Sequence, residues 1–316
     1  MRILFIGTGE IGLPVLRWLR AHHLHQLVGV VTQPDKPVGR DQRIQAPPIK
    51  AVIADTNIPV LQPRRIKHEE AVAEIRALCP EVIVVMAYGQ ILPGAVLEIP
   101  SIACLNLHAS LLPKHRGAAP IQAAILAGDS ETGITVMYMD EGLDTGDMLL
   151  QSRIALASDE TGGSLHDRLA EVAPRALAEA LDALQSGTAP RVPQDSASAT
   201  YAPKLEREHG LIDWSERAEA IERKIRAYDP WPGAYALLRD DAGRQRKLKI
   251  FSATIVSTDS AATGEFAQSA GGLVVGTSAG ALLLGEVQLE GKKRMQASDL
   301  LRGHGWLANA TTRSAT

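Results

Sequence analysis

Residues able to do acyl chemistry concentrate in one stretch, Asn106-Leu107-His108-Ala109-Ser110-Leu111-Leu112-Pro113-Lys114-His115-Arg116-Gly117, with Gly142-Leu143-Asp144-Thr145-Gly146-Asp147 shortly after it. Asn106 and His108 stand two apart at the end of an apolar run. In a strand they share one face, and Leu105 and Leu107 share the other. The amide offers a hydrogen-bond donor, the imidazole a titratable ring, and Asp144 a carboxylate able to orient that ring. Ser110 is followed by Leu-Leu-Pro rather than set in a Gly-x-Ser-x-Gly elbow. A donor, a ring and a carboxylate without a nucleophile suit transfer of an already activated acyl group to an amine. That reaction needs oxyanion stabilisation and proton movement only. A lone strand-end histidine is more often a satisfied core or surface residue. The loop 110–120, with two prolines, Lys114, His115, Arg116 and Gly117, carries more rigid and cationic groups than a plain connection needs.

These groups need a scaffold that holds a strand end beside a loop. Residues 1–186 alternate apolar runs at 2–6, 27–32, 82–86, 102–107 and 133–139 with helical patterns such as 11–21 and 69–78. Continuous Val/Ile/Leu runs predict strands covered on both faces, and the βαβ rhythm predicts a doubly wound, mostly parallel Rossmann-like α/β sheet. Such sheets bind ligands beyond the carboxyl ends of their strands. Residues 163–185 read as a long helix with Leu165, Leu169, Val172, Leu177, Leu181 and Leu184 as its apolar positions. Residues 187–203, rich in Pro, Ser, Ala and Thr, read as a linker. Beyond it, 215–228 is helical, with Ile221, Ile225 and Tyr228 on one face. Strand-like runs follow at 234–238, 248–256, 273–276 and 281–289, with turns at Asp241-Ala242-Gly243 and Ser278-Ala279-Gly280. This pattern predicts a small OB-like β-barrel. The expected division is a catalytic domain at 1–189, a linker at 190–208 and a C-terminal domain at 209–316.

Gly7-Thr8-Gly9-Glu10-Ile11-Gly12 has the form of a dinucleotide fingerprint, with Asp35 at about the right distance. Asp35 lies in the kinked Gln33-Pro34-Asp35-Lys36-Pro37, and no hydride-accepting site follows. NAD is therefore not expected, and an NAD-dependent oxidoreductase is the rival from another class. The glycines otherwise serve a tight strand-to-helix turn. Asp140, Glu141, Asp144 and Asp147 miss the calcium-loop pattern because Gly142 stands where an oxygen ligand belongs. No metal is expected. His22, His23, His25, His68, His166, His209 and His304 lack ligand spacing and read as surface residues.

The net charge of −3 over 316 residues gives no global field for nucleic acid. The charge is uneven, and from Arg223 onward 13 Lys and Arg face 8 Asp and Glu. Two cysteines, Cys79 and Cys104, argue against a disulfide framework, and Cys104 reads as a small buried hydrophobe. A cytoplasmic location is expected, since no secretory leader or spanning run of 18 apolar residues is apparent.

Asn106-x-His108, the Ser-Leu-Leu-Pro-x-x-Arg-Gly signature at 110–117 and Asp144 resemble the formyl-folate transferase family. A narrower resemblance, to the branch acting on methionyl-tRNA, rests on residues 32–40, 46–50, 87–93, 117–122, 230–233 and Gly291-Lys292-Lys293-x-Met295. These pieces keep the family's order from Met1 to about Trp306. The resemblance implies transfer of the formyl group of 10-formyltetrahydrofolate to the α-amino group of methionine on initiator tRNA, for translation initiation. It implies catalytic roles for Asn106, His108 and Asp144. It implies a folate wall from Met86, Ala87, Tyr88, Gly89, Gln90, Ile91, Leu92, Ser110, Leu111, Leu112 and Pro113. For the tRNA it implies Lys36, Arg40 and Arg43 in the insertion 34–48, with Lys247, Lys249, Lys292, Lys293 and Arg294 in the C-terminal domain. Arg244 and Arg246 add to that basic set. The prolines of the insertion predict an exposed loop without regular pairing. Asp41-Gln42-Arg43 stands where the family pattern is more basic. A monomer is expected. Within the family a sugar-nucleotide N-formyltransferase and a formyl-folate hydrolase are the rivals; outside it, an RNA-binding protein with an inactive transferase domain.

Overall fold

The computed structural model describes residues 1–39, 41–257 and 261–312. Two compact units divide the chain. Residues 1–120, 131–155 and 166–203 form one, and 121–130, 156–165 and the residues from 204 onward form the other.

The first unit carries β1 (Arg2–Gly7), β2 (Gln26–Val31), β3 (Lys36–Val38), β4 (Arg43–Gln45), β5 (Val60–Leu61), β6 (Val82–Met86), β7 (Ala103–His108), β8 (Arg116–Gly117), β9 (Glu131–Tyr138), β10 (Met148–Ala155) and β11 (Tyr201–Ala202). Its central sheet runs β10-β9-β7-β6-β1-β2-β5. The pairs β5–β2, β2–β1, β1–β6 and β6–β7 are parallel. β9 and β10 add antiparallel on the β7 side. This is the doubly wound, mostly parallel sheet that the apolar runs predict. Helices α1 (Leu13–Ala21), α2 (Pro48–Val52), α3 (Glu69–Ala77) and α4 (Gly94–Leu97) lie between its strands in sequence. Leu4 and Ile6 join Ile83, Val85 and Cys104 in a core with Val72 and Ile75 of α3 and Val96 of α4. Ile3 and Phe5, equally buried, alternate to the other face, where Phe5 and Ile49 both lie against Gly12. Burial on both faces explains why these strands read as unbroken apolar runs.

Short pairings in the insertion and beside β8 fall outside the sequence reading. β3 and β4 form an antiparallel ribbon in the insertion, with Pro37 opposite Ile44. The expectation that the prolines prevent pairing is therefore corrected. A two-stranded ribbon has a free edge on each side, so a residue without an N–H can be accommodated there. β11 pairs parallel with β8. β10 was missed because its burial is partial and irregular, as suits the outer strand of a sheet.

Helix α5 (Pro120–Ala127) follows β8, and α6 (Gly162–Gln185) follows β10. The second unit contains α7 (Ala218–Ala227), α8 (Ala297–Gly303), and two antiparallel sheets. One sheet holds β12 (Ala234–Arg239), β13 (Gln245–Ile250), β18 (Glu286–Leu289) and β19 (Met295–Gln296). The other holds β14 (Ala253–Val256), β17 (Ala281–Leu284), β16 (Gly272–Gly276) and β15 (Phe266–Ser269). The expected strands 248–256 and 281–289 each break in two and pass from one sheet to the other. The breaks meet: Ser252 Oγ accepts from Glu286 N–H at 2.9 Å, and a Cβ on Gly285 would lie 2.4 Å from that hydroxyl. A paired corner of this kind lets two sheets share strands around one core, as small barrels do. Ile221, Ile225, Leu248, Ile250, Leu273, Val275, Leu282 and Leu300 fill that core.

Candidate active site

In this sheet the chain reverses direction of winding between β1 and β6. The turn after β1 is closed onto the loop after β6. Thr8 and Gly9 N–H both donate to the Ala87 carbonyl at 3.2 Å, and the Thr8 hydroxyl donates to the Tyr88 carbonyl at 3.1 Å. A Cβ on Gly7 would sit 2.7 Å from the Met86 carbonyl oxygen. The Gly-x-Gly-x-x-Gly pattern is thus explained by close packing, and two of the amides that a pyrophosphate would use are already engaged. Asp35 is engaged as well. It receives Gln62 Nε2 at 2.7 Å and Lys50 Nζ at 3.0 and 2.9 Å. The Gln62 amide and then the Lys50 ammonium hold its carboxyl below the usual range.

β7 delivers Asn106 and His108 to its carboxyl end, and the loop after β9 delivers Asp144. Asp144 Oδ1 accepts from Asn106 Nδ2 at 3.3 Å, and Oδ2 accepts from Gly117 N–H at 2.8 Å. His108 Nδ1 faces Oδ2 at 3.6 Å. The three residues singled out in the sequence therefore meet around one carboxylate. His108 sits deeper than a solvent-facing catalytic ring, being buried, and its Nε2 lies 2.9 Å from the His115 carbonyl. A carbonyl only accepts, so Nε2 carries a proton and Nδ1 is the nitrogen turned to Asp144. The Asn106 amide has two N–H groups, and the one not given to Asp144 can serve a ligand oxygen. Ala87, His115 and Asp144 hold φ of 50, 60 and 53°, a left-handed conformation that surrounding bonds must maintain.

The folate wall expected from sequence divides in two. Ala87, Gly89 and Ile91 face outward, with Ile91 82% exposed, and Leu111 and Pro113 are half-buried. Met86, Tyr88, Leu92, Ser110 and Leu112 are buried and act as the backing of that surface. The Ser110 hydroxyl donates to the Lys114 carbonyl at 2.6 Å, and Leu112 N–H donates to Thr135 Oγ1 at 3.1 Å. Gln90 braces its own loop, accepting from Ile66 N–H at 2.9 Å. Burial pushes the Tyr88 phenol up to about 12, and its hydroxyl has no partner among the described residues. Leu143, 57% exposed beside Asp144, is an apolar residue that the sequence reading did not assign. The loop that carries it approaches the start of α4, where a Cβ on Gly94 would lie 2.6 Å from Glu141 Oε1. Its only sequence signal was an apolar side chain inside a polar Gly-Leu-Asp-Thr-Gly loop.

The expected tRNA residues are also sorted. Lys36 and Arg43 are exposed on the β3–β4 ribbon, with Arg43 Nε 3.9 Å from Asp41. Arg40 lies outside the described residues. Lys247, Lys249, Gln288, Leu289, Glu290 and Gly291 line a groove, and the exposed Lys292 and Lys293 follow in sequence. Lys247 Nζ lies 3.4 Å from the Tyr235 ring centroid, and burial, then Lys249, lowers its pKa. Arg294, also exposed, pairs with Glu286 and stacks 4.0 Å over Phe251. Arg244 and Arg246 both lean on Asp240. His25 corrects the surface reading of the scattered histidines, being buried with Nδ1 3.4 Å from the Met1 amine. Among the described residues no group of His, Cys, Asp and Glu could hold a metal ion, and no helix is long and apolar enough to cross a membrane.

A doubly wound sheet carrying an amide, an imidazole and a carboxylate at a strand end, beside an outward apolar loop, defines a group-transfer enzyme of the Rossmann-like class. The chain belongs to the formyl transferase family: the formyl transferase model matches residues 1–181 and the formyl transferase C-terminal domain model matches 204–305. It is 47% identical to the methionyl-tRNA formyltransferase of Akkermansia muciniphila over 306 residues, covering 96% of this chain and 97% of the relative. It is 48% identical to that of Marinobacter nauticus over 304 residues, covering 96% of each. Among solved structures, the sugar 3N-formyl transferase WlaRD shares the fold with a TM-score of 0.65 at 16% identity, over 93% of this chain and 99% of that one. HypX from Aquifex aeolicus, in complex with tetrahydrofolic acid, does so with a TM-score of 0.61 at 19% identity, over 95% of this chain and 47% of that one.

Proposed function

We propose that this chain transfers the formyl group of 10-formyltetrahydrofolate to the α-amino group of methionine on initiator tRNA. The observation that carries the reading is Asp144, whose two oxygens gather Asn106, Gly117 N–H and the His108 ring at one strand end. The reaction forms a bond from the amine nitrogen to the formyl carbon and breaks the bond from that carbon to the folate N10. One proton passes from the amine to N10. Asn106 donates its remaining N–H to the oxyanion that forms on the way, an interaction worth about 3–4 kcal/mol in acyl transfer. The His108–Asp144 pair holds the travelling proton. Its 3.6 Å separation is of the kind that tightens once substrate is bound. Ala87, Gly89 and Ile91 offer the flat apolar edge that a pteridine ring needs, with Leu143 on the facing loop. Lys36 and Arg43 on the ribbon, and Lys247, Lys249, Lys292 and Lys293 on the β domain, take tRNA phosphates. The setting is cytoplasmic translation initiation.

Single-turnover formylation by Asn106→Ala, His108→Ala and Asp144→Ala tests the site. Each variant is expected to fall at least about a hundredfold while staying folded. A rate within twofold of the parent in any of the three would remove that residue from the chemistry.

A further inference from the structure

We propose that residues 190–202 are a strap that builds the catalytic centre, and that Gln194 and Thr200 are positioning residues for Asp144 and His108. The inference rests on the reading of those two as reacting groups. The segment has the composition of a linker, and a linker keeps its backbone in water. This one does not. Val192 exchanges both backbone hydrogen bonds with Met148, at 2.8 and 3.0 Å, and Arg191 stacks 3.7 Å over the Tyr138 ring. Tyr201 and Ala202 pair with Arg116 and Gly117. Gly117 holds φ +117°, and a Cβ there would lie 2.6 Å from the Ala202 carbonyl oxygen. A glycine in the Arg116-Gly117 signature is therefore needed because the strap passes so close.

Gln194 is the centre of the device. Its Nε2 donates to the carbonyls of Asp144 at 2.9 Å and Gly146 at 2.8 Å. Its Oε1 accepts from Arg116 Nε at 3.0 Å and Nη2 at 2.8 Å. All four hydrogen-bonding positions of the amide are filled. Arg116 is 2% exposed, so its charge polarises the Gln194 amide in a dry setting and strengthens the two N–H donors. One side chain thus ties the loop that carries Asp144, at φ +53°, to the loop whose Gly117 N–H grips the same carboxylate. Thr200 acts on the other member of the pair. Its hydroxyl accepts His115 N–H at 2.8 Å, its carbonyl accepts Arg116 N–H at 2.8 Å, and its N–H donates to the Pro113 carbonyl at 3.3 Å. His115, fixed in this way at φ +60°, presents the carbonyl that receives His108 Nε2. The strap sets the rotation of the imidazole through His115 and the place of the carboxylate through Gln194.

The test uses the full chain with Gln194→Met, which keeps length and removes the hydrogen bonds, and Thr200→Val, which keeps shape and removes the hydroxyl. Single-turnover rate, its pH profile, half-saturation by the formyl donor and thermal unfolding are measured together, with His108→Ala beside them. Gln194→Met is expected to lose at least about tenfold in the single-turnover rate, the scale of a small misplacement, with donor half-saturation within threefold of the parent. Thr200→Val is expected to slow the reaction and displace its pH profile, because it changes what holds the His108 ring. Lower melting temperatures with parental rates and pH profiles would overturn the proposal and leave the strap a structural tie. Should Gln194→Met not fold, Thr200→Val decides alone, and a parental rate and profile in it would overturn the proposal. A slow His108→Ala beside a fast Gln194→Met removes the strap only, whereas a fast His108→Ala removes the site reading itself.

Discussion

Asp144 accepts from an amide, faces an imidazole and accepts from a backbone N–H, all from residues remote in sequence. Asn106, His108 and Asp144 were legible because their types and the two-residue strand period carry chemistry. The backbone acceptor for His108 Nε2 was not, since a carbonyl belongs to every residue and leaves no mark in the sequence. The same strand offers a check that needs no substrate. Cys104 lies two residues before Asn106 and is buried, which pushes its thiol up to about 12, while Cys79 is exposed. A thiolate is the reactive form, so one thiol is expected to react with iodoacetamide at pH 8 in the native protein and two after denaturation. Two native thiols reacting at equal rates would mean that β7 is not packed as described.

At the scale of elements, period and punctuation revealed the central strands, because burial on both faces writes itself as apolar runs. They did not reveal elements held by geometry alone. The strands of the β domain break at Ser252 and Gly285, where two backbones meet at a corner, and the apolar pattern runs through both breaks. The strap was hidden because its Pro, Ser and Thr also compose linkers, and its pairing partner β8 is only two residues long. The β3–β4 ribbon was hidden by its prolines. Its exposure was not, and Arg43 is 81% exposed at the side chain. Arg43→Ala should therefore shift unfolding by less than about 0.5 kcal/mol in denaturant titration. It should raise the tRNA concentration needed for half-maximal rate, most at low salt and less as salt increases, and leave the folate dependence flat. Unchanged tRNA kinetics would return the ribbon to an exposed connection without a substrate role.

Over the whole molecule the net charge of −3 conceals where an anionic partner would bind. Within the basic set, Arg294, Arg244 and Arg246 lie against carboxylates of their own domain, as Arg43 does with Asp41 on the ribbon. Lys247 and Lys249 line a groove next to Tyr235, and Lys292 and Lys293 are exposed just beyond it in sequence. Binding that rests on a few such contacts falls steeply with salt, whereas a small amino-sugar acceptor would show no comparable dependence. The most direct measurement is formyl transfer from 10-formyltetrahydrofolate to three acceptors at two salt concentrations: charged initiator methionine tRNA, charged elongator methionine tRNA, and a nucleotide-linked amino sugar. The account predicts rapid, salt-sensitive formylation of the initiator, slower transfer to the elongator, and none to the sugar. Formylation of the sugar, or of free amines, with no transfer to charged tRNA would contradict it.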